Sequence, residues 1–152
     1  MKFVATEEIA APIEEVWAAV TDFDAFEARL SRRAEIERRP PGPAALGTVW
    51  HGRAPVLGTT RDVELRLSRL EAPHAIAMAG ASDGIDLAAD ARLEELGPRR
   101  TRLTVTTEAR GNSFGARLVL QPLKLAKSSL LQRYRGAVAT FARRIETGRR
   151  QA

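Results

Sequence analysis

The sequence predicts an α+β fold in which a curved antiparallel seven-stranded sheet wraps around a long C-terminal helix, with two short helices after the first strand. Three observations carry this. A single strand pattern at the front leads into two helix-start signals, six strand patterns then follow without an intervening helix, and a long helical stretch closes the chain. At 152 residues and 16.6 kDa the chain has the length of one domain. It divides into a domain over residues 1–148 and a basic tail over 149–152.

Residues 2–10 place Phe3, Ala5 and Ile9 on one parity and Thr6 and Glu8 on the other, the alternation of a half-buried strand. Pro12 suits a first helical position. Glu14 and Glu15 complement the helix dipole, and Ile13, Val16, Trp17 and Val20 recur at helical spacing. A break near Asp22 is followed by Asp24 and Glu27, which read as a capping pair for a second short helix through about Leu30. Strands are expected at 32–39, 47–54, 59–70, 74–81, 85–96 and 100–110. The turns between them are marked by Pro40-Pro41-Gly42-Pro43, Gly58, Ala72-Pro73, Asp83-Gly84 and Gly97-Pro98.

By parity the inward faces are Val63, Leu65 and Leu67; Ile76 and Met78; Leu87, Ala89, Ala91 and Leu93; and Leu103, Val105 and Ala109. From Gly111-Asn112-Ser113 a helical pattern runs to about Thr147, with a kink expected at Pro122 and an end at Gly148. Beyond Pro122, residues Leu123, Leu130, Tyr134, Val138, Phe141 and Ile145 form one apolar stripe about 35 Å long.

Composition narrows the function classes. Hydrophobic residues at 44% and charged residues at 28% are globular values. The absence of cysteine excludes disulfides, thiolate metal sites and cysteine nucleophiles. A net charge of +5 invites a nucleic-acid partner, but the basic residues are mostly Arg, spread along the chain and interleaved with acids on the expected strands. No aromatic-basic motif accompanies them, so no nucleic-acid partner is expected. The charged, strand-like start carries no signal-peptide pattern and no apolar run approaches membrane-spanning length, so a cytoplasmic protein is expected.

Residues 11–26, APIEEVWAAVTDFDAF, together with the Ser82-Asp83-Gly84 hairpin, the strand from Thr101 to Ala109 and the terminal helix, resemble the START-like (SRPBCC, Bet v 1-like) superfamily. This superfamily includes polyketide cyclases, dehydratases and lipid-transfer domains. The resemblance covers essentially the whole chain, and its most specific piece is Ala11-Pro12 followed by Val16-Trp17 and Asp22. Where many relatives carry a tryptophan at the end of the second helix, this chain has Glu27-Ala28-Arg29-Leu30. The resemblance implies a helix-grip fold with a cavity between sheet and terminal helix that takes an apolar or amphipathic small molecule such as a lipid, quinone or polyketide. Small strand residues, namely Ala77, Ala79, Gly80, Ala88, Ala89 and Ala91, would leave room for such a cavity. The opposing expectation is a core filled by helix side chains.

The ligand-binding candidates are Trp50, His51, Val63, Leu65, Met78, Leu87, Ala89, Leu103, Val105, Leu123, Leu130 and Tyr134. The catalytic candidates are His51, Arg53 and Tyr134, as acid, base or oxyanion partners. Trp50 and His51 are adjacent on a strand, so one faces inward and the other outward. The ordinary reading of His51 is a surface or satisfied core histidine, that of Arg53 a surface ion pair, and that of His74 a solvated turn residue. Asp86 and Asp90 lie about 13 Å apart along one strand, too far for a glycosidase pair, and read as outward-facing. Lys127 reads as a side chain snorkelling along the helix edge. No metal-ligand spacing, nucleophile elbow or phosphate loop occurs, so neither a metal nor a cofactor is expected.

The segment Leu118–Leu125 is too apolar for a solvated surface. It reads as a cavity gate with Gly115 and Pro122 as bend points, the alternatives being transient membrane contact and homodimer packing. Three functions follow: a non-enzymatic carrier of a small hydrophobic ligand, a cyclase or dehydratase using the same cavity without metal, and a protein-binding stress adaptor without a ligand.

Overall fold

The computed structural model describes residues 1–56 and 58–151. Along the chain these form β1 (Lys2–Ile9), α1 (Ile13–Val20), α2 (Phe23–Leu30), β2 (Glu35–Arg39), β3 (Val49–Val56), β4 (Thr59–Glu71), β5 (Ala75–Ser82), β6 (Ile85–Gly97), β7 (Arg100–Gly111), α3 (Phe114–Leu125) and α4 (Lys127–Gln151). All seven strands join one antiparallel sheet in the order β1-β7-β6-β5-β4-β3-β2. The meander β2 to β7 is therefore laid down strand beside strand, and β1 closes it on the β7 side.

Alternation positions the two faces. On β4, Arg61, Val63, Leu65 and Leu67 are shielded while Asp62, Glu64 and Arg66 are exposed, and a bulge between Leu67 and Arg69 resets the phase so that Leu70 turns inward. Asp83 and Gly84 both have positive φ, 42° and 79°, as the tight β5–β6 hairpin requires. At the end of β7, a Cβ on Gly111 would stand 2.9 Å from the backbone nitrogen of Arg117. Glycine is what lets α3 start directly against the sheet.

Three local expectations change. The cap of α2 is Asp22, whose carboxylate accepts from the Ala25 N–H at 3.1 Å, while Asp24 and Glu27 both turn to Arg38 on β2. Pro122 lies inside α3 and the helical stretch breaks at Ala126 instead. Pro122 is exposed and close to exposed Leu118, where water can serve the carbonyl that the ring leaves unpaired. The final helix passes Gly148 and continues to Gln151.

Two apolar clusters hold the helices to the sheet. The first joins Ala5 and Ile9 of β1, Leu93, Leu103, Ile13 and Val16 of α1, and Val138 and Ala142 of α4. Beside it the fully buried Thr101 hydroxyl donates to the Ala11 carbonyl at 2.9 Å, fixing the chain as it enters α1. The second centres on Trp50, Leu67 and Ile76, with Trp17, Val20, Phe23 and Phe26 packed over them. The helix α4 runs along β1 and α3 leans on β7, so the concave middle of the sheet is covered only in part.

Candidate functional site

The uncovered part of the concave face is a cavity of about 400 Å³ beneath α3. Its floor is one cross-strand row, Leu65, Gly80, Leu87 and Ala109, with Val63, Ser82 and Ile85 beside it and Leu120 and Leu123 of α3 as its roof. The wall is almost wholly apolar. Ala109 and Gly80 keep this floor low, with Leu65 Cδ2 lying over Gly80 where a Cβ would stand 2.8 Å from it. A volume of this size falls within the range of small-molecule sites, about 300–1,000 Å³.

Towards the first cluster the next rows line two smaller hollows. One of about 170 Å³ lies among Val20, Phe23, Phe26, Met78, Ala89 and Val105. The other, about 140 Å³, lies among Phe26, Arg29, Leu103, Val105 and Phe141. Leu65, Gly80 and Leu87 of the large cavity neighbour Leu67, Met78 and Ala89 along their strands, so the three spaces follow one trough.

The sequence-derived candidates divide accordingly. Val63, Leu65, Leu87 and Leu123 line the large cavity, and Met78, Ala89, Leu103 and Val105 line the smaller hollows. Leu130 is half-buried on α4. Trp50 is 1% exposed and belongs to the core, packed tilted against Phe23 and edge-to-face with Phe26 at centroid distances of 5.5 and 5.8 Å. Because Trp50 takes the inward position of β3, His51 and Arg53 project from the convex face. There His51 lies opposite Glu37 and Glu64, and Arg53 meets Asp62 at 3.4 Å with both side chains largely exposed. His74 is exposed in the β4–β5 turn. Of the small residues expected to make room, Ala79 and Ala88 are exposed on the convex side, Gly80, Ala89 and Ala91 face the trough, and Ala77 borders the hollow of about 170 Å³.

Tyr134 is the one catalytic candidate on the concave side. Its ring packs on Phe3 at 5.7 Å and its hydroxyl shares a 3.0 Å hydrogen bond with Thr107. Burial raises its pKa, with Asp90 adding to the rise and the Thr107 bond opposing it. The phenol therefore stays protonated near neutrality and serves as a hydrogen-bonding group, not as a base. The structure does not bring His51, Arg53 and Tyr134 together. Among the described residues no group of three or more His, Asp or Glu side chains is placed to hold a metal ion.

Two features escape a reading of the sequence. The first is a polar clamp over the Trp50 end of the trough. Glu27 Oε1 accepts from Trp50 Nε1 at 2.6 Å and from Arg38 Nε, while Arg38 also donates to Asp24 at 2.9 Å and to the Gly42 carbonyl at 2.8 Å. These bonds, that to Glu27 foremost, raise the pKa of Arg38. Glu27 is thus the carboxylate that ties α2 to β2 and β3. The second is Arg61. It follows Val63 outward along the same face of β4, is 18% exposed, and reaches Asp83 at 3.5 Å. Its Nε is buried without a hydrogen-bond partner among the described residues. Parity carries the signal for Arg61, since it shares the phase of Val63 and Leu65.

A seven-stranded sheet curved over a helix, with an apolar trough between them, defines a helix-grip protein with a ligand-binding type of interior. Residues 1–146 match the family described as polyketide cyclase/dehydrase and lipid transport, and the chain belongs to that family. Among solved structures it is similar to an aromatase/cyclase from Streptomyces sp. R1128, with 18% identity, 95% of this chain and 94% of that one covered, and a TM-score of 0.63. It is also similar to norcoclaurine synthase from Thalictrum flavum, with 11% identity, coverage of 98% and 96%, and a TM-score of 0.66. A protein from Thermus thermophilus gives 14% identity, coverage of 97% and 99%, and a TM-score of 0.65. These likenesses establish the shared fold. No curated protein matches the sequence.

Proposed function

We propose that the protein binds and carries a small apolar or amphipathic molecule, of lipid, quinone or polyketide-like character, in the trough beneath α3. The observation that carries this reading is the cavity of about 400 Å³ with its nearly continuous apolar wall. Burial of ligand surface there contributes about 25 cal/mol per Å². A carrier is favoured over a cyclase or dehydratase because His51 and Arg53 lie on the convex face, away from the Tyr134 and Thr107 hydroxyls.

Native mass spectrometry of the purified protein, followed by organic extraction, tests for a retained ligand, and titration with Nile red tests for the cavity. Ala109→Phe fills the floor, and it is expected to weaken Nile red binding at least about tenfold while leaving the fold intact. Equal binding by the variant would put the probe elsewhere. An extract without ligand, combined with no probe binding by the native chain, would move the assignment to a protein-binding adaptor.

A further inference from the structure

The positive charge of this protein is not evenly spread, although its arginines are. Residues 109–145 contain eight Lys and Arg and no Asp or Glu, whereas the rest of the chain holds 16 basic and 19 acidic residues. The whole basic surplus therefore sits in the end of β7, α3 and most of α4. Arg117, Lys124, Lys127, Arg133, Arg135 and Arg144 are exposed and form no salt bridge with another described residue.

Within this field α3 has two apolar faces. Ala116, Leu120 and Leu123 turn to the sheet and cavity. On the opposite side Phe114, Leu118 and Leu125 are 77%, 53% and 93% exposed. At about 100° per residue these three fall within about 40° of one another, a line about 16 Å long, with Arg117 and Lys124 beside it. Three large apolar side chains held in water next to unpaired cations match the pattern of a helix that lies in a lipid interface.

We propose that α3 docks the protein on an anionic membrane surface, with Phe114, Leu118 and Leu125 entering the acyl boundary and Arg117, Lys124 and Lys127 meeting the headgroups. Charge complementarity selects this occupant. A second copy packed about a two-fold axis would set the unpaired cations beside α3 against their own copies, which like charges oppose. A nucleic-acid backbone would meet the cations but leave the leucines nothing to bury in. Docking would also bring the roof of the cavity, Leu120 and Leu123, next to the lipid.

Co-sedimentation of the full chain with phosphatidylcholine vesicles, with and without phosphatidylglycerol, tests this. Binding is expected only when phosphatidylglycerol is present, and is expected to fall sharply on raising salt from about 0.1 M to 1 M. Each cation near the leaflet strengthens partitioning about fivefold, so Lys124→Glu should weaken it more than about tenfold, while Arg99→Glu in the distant β6–β7 turn should change it little. Leu118→Ser with Leu125→Ser should also lose at least about tenfold without altering the unfolding midpoint, since both side chains are solvated in the free protein. Equal partitioning onto neutral vesicles, or none onto either kind, overturns the proposal. So does a concentration-dependent dimer that the double serine variant dissolves, or duplex DNA binding that the same variant retains. Because vesicle binding is read without any cargo, its failure is separate from failure of the carrier assignment.

Discussion

Glu27 is expected to be the polar residue on which closure of the trough most depends, and its removal can be worked through from the contacts. In Glu27→Ala the indole N–H of Trp50, 1% exposed, loses its acceptor at 2.6 Å. A buried donor left unpaired costs about 1–3 kcal/mol. Arg38, 14% exposed, loses the bond from Nε but keeps Asp24 and the Gly42 carbonyl. Breaking a fully buried ion pair costs about 3–5 kcal/mol, and here partial exposure and the surviving partners reduce that to about 1–2 kcal/mol. The sum is about 3 kcal/mol, or a fall in Tm of about 6–12 °C for a domain of this length.

Urea unfolding followed by the fluorescence of Trp17 and Trp50, the two tryptophans of the chain, measures it, with an unchanged slope as the mark of a pure stability effect. Glu27→Gln retains one acceptor and should lose about half as much. Glu27→Leu combined with Arg38→Met removes both charges and should recover much of the loss. A Glu27→Ala variant within about 0.5 kcal/mol of the native chain, or strict additivity in the Glu27–Arg38 cycle, would refute the bridging role.

Three further outcomes follow from the site. Tyr134, the sole tyrosine, should ionise above its ordinary value of about 10 when followed by phenolate absorbance. The unfolded chain ionises first, so stability should be retained below about pH 10 and decline as pH rises towards the folded value. Tyr134→Phe should lack that decline, and a midpoint at or below the ordinary value would contradict the burial of the phenol. For Arg61, a fatty-acid probe should bind about tenfold more tightly than its methyl ester, a preference that Arg61→Met abolishes if the guanidinium meets the carboxylate at the cavity mouth. An unchanged ratio would remove Arg61 from the site. His51→Ala and Arg53→Ala should leave Nile red binding and, within about 0.5 kcal/mol, stability as they were, and a loss of binding in either would mean that the convex face takes part.

Sequence by itself determined the order of elements and the inward parity of the central strands, because alternation and turn chemistry are local properties. Asp83-Gly84 specifies its hairpin through backbone angles alone, and Val63, Leu65, Leu87 and Ala109 could be placed inward without knowing what they face. Only the tertiary structure decided the rest. Adjacent residues such as Trp50 and His51 must point oppositely, but which one is inside depends on the register that sets Trp50 beside Leu65 and under Phe23 and Phe26. Glu27 and Asp24 have a good local use as caps, and they abandon it because folding brings Arg38 within reach across the trough opening. Pro122 is a breaker by local rules, yet the helix passes through it and bends at Ala126, where α3 on β7 gives way to α4 along β1. The cavity is the least local feature of all. It exists because two covering helices and the second apolar cluster leave the row from Leu65 to Ala109 uncovered, a fact of packing between distant segments that no stretch of sequence contains.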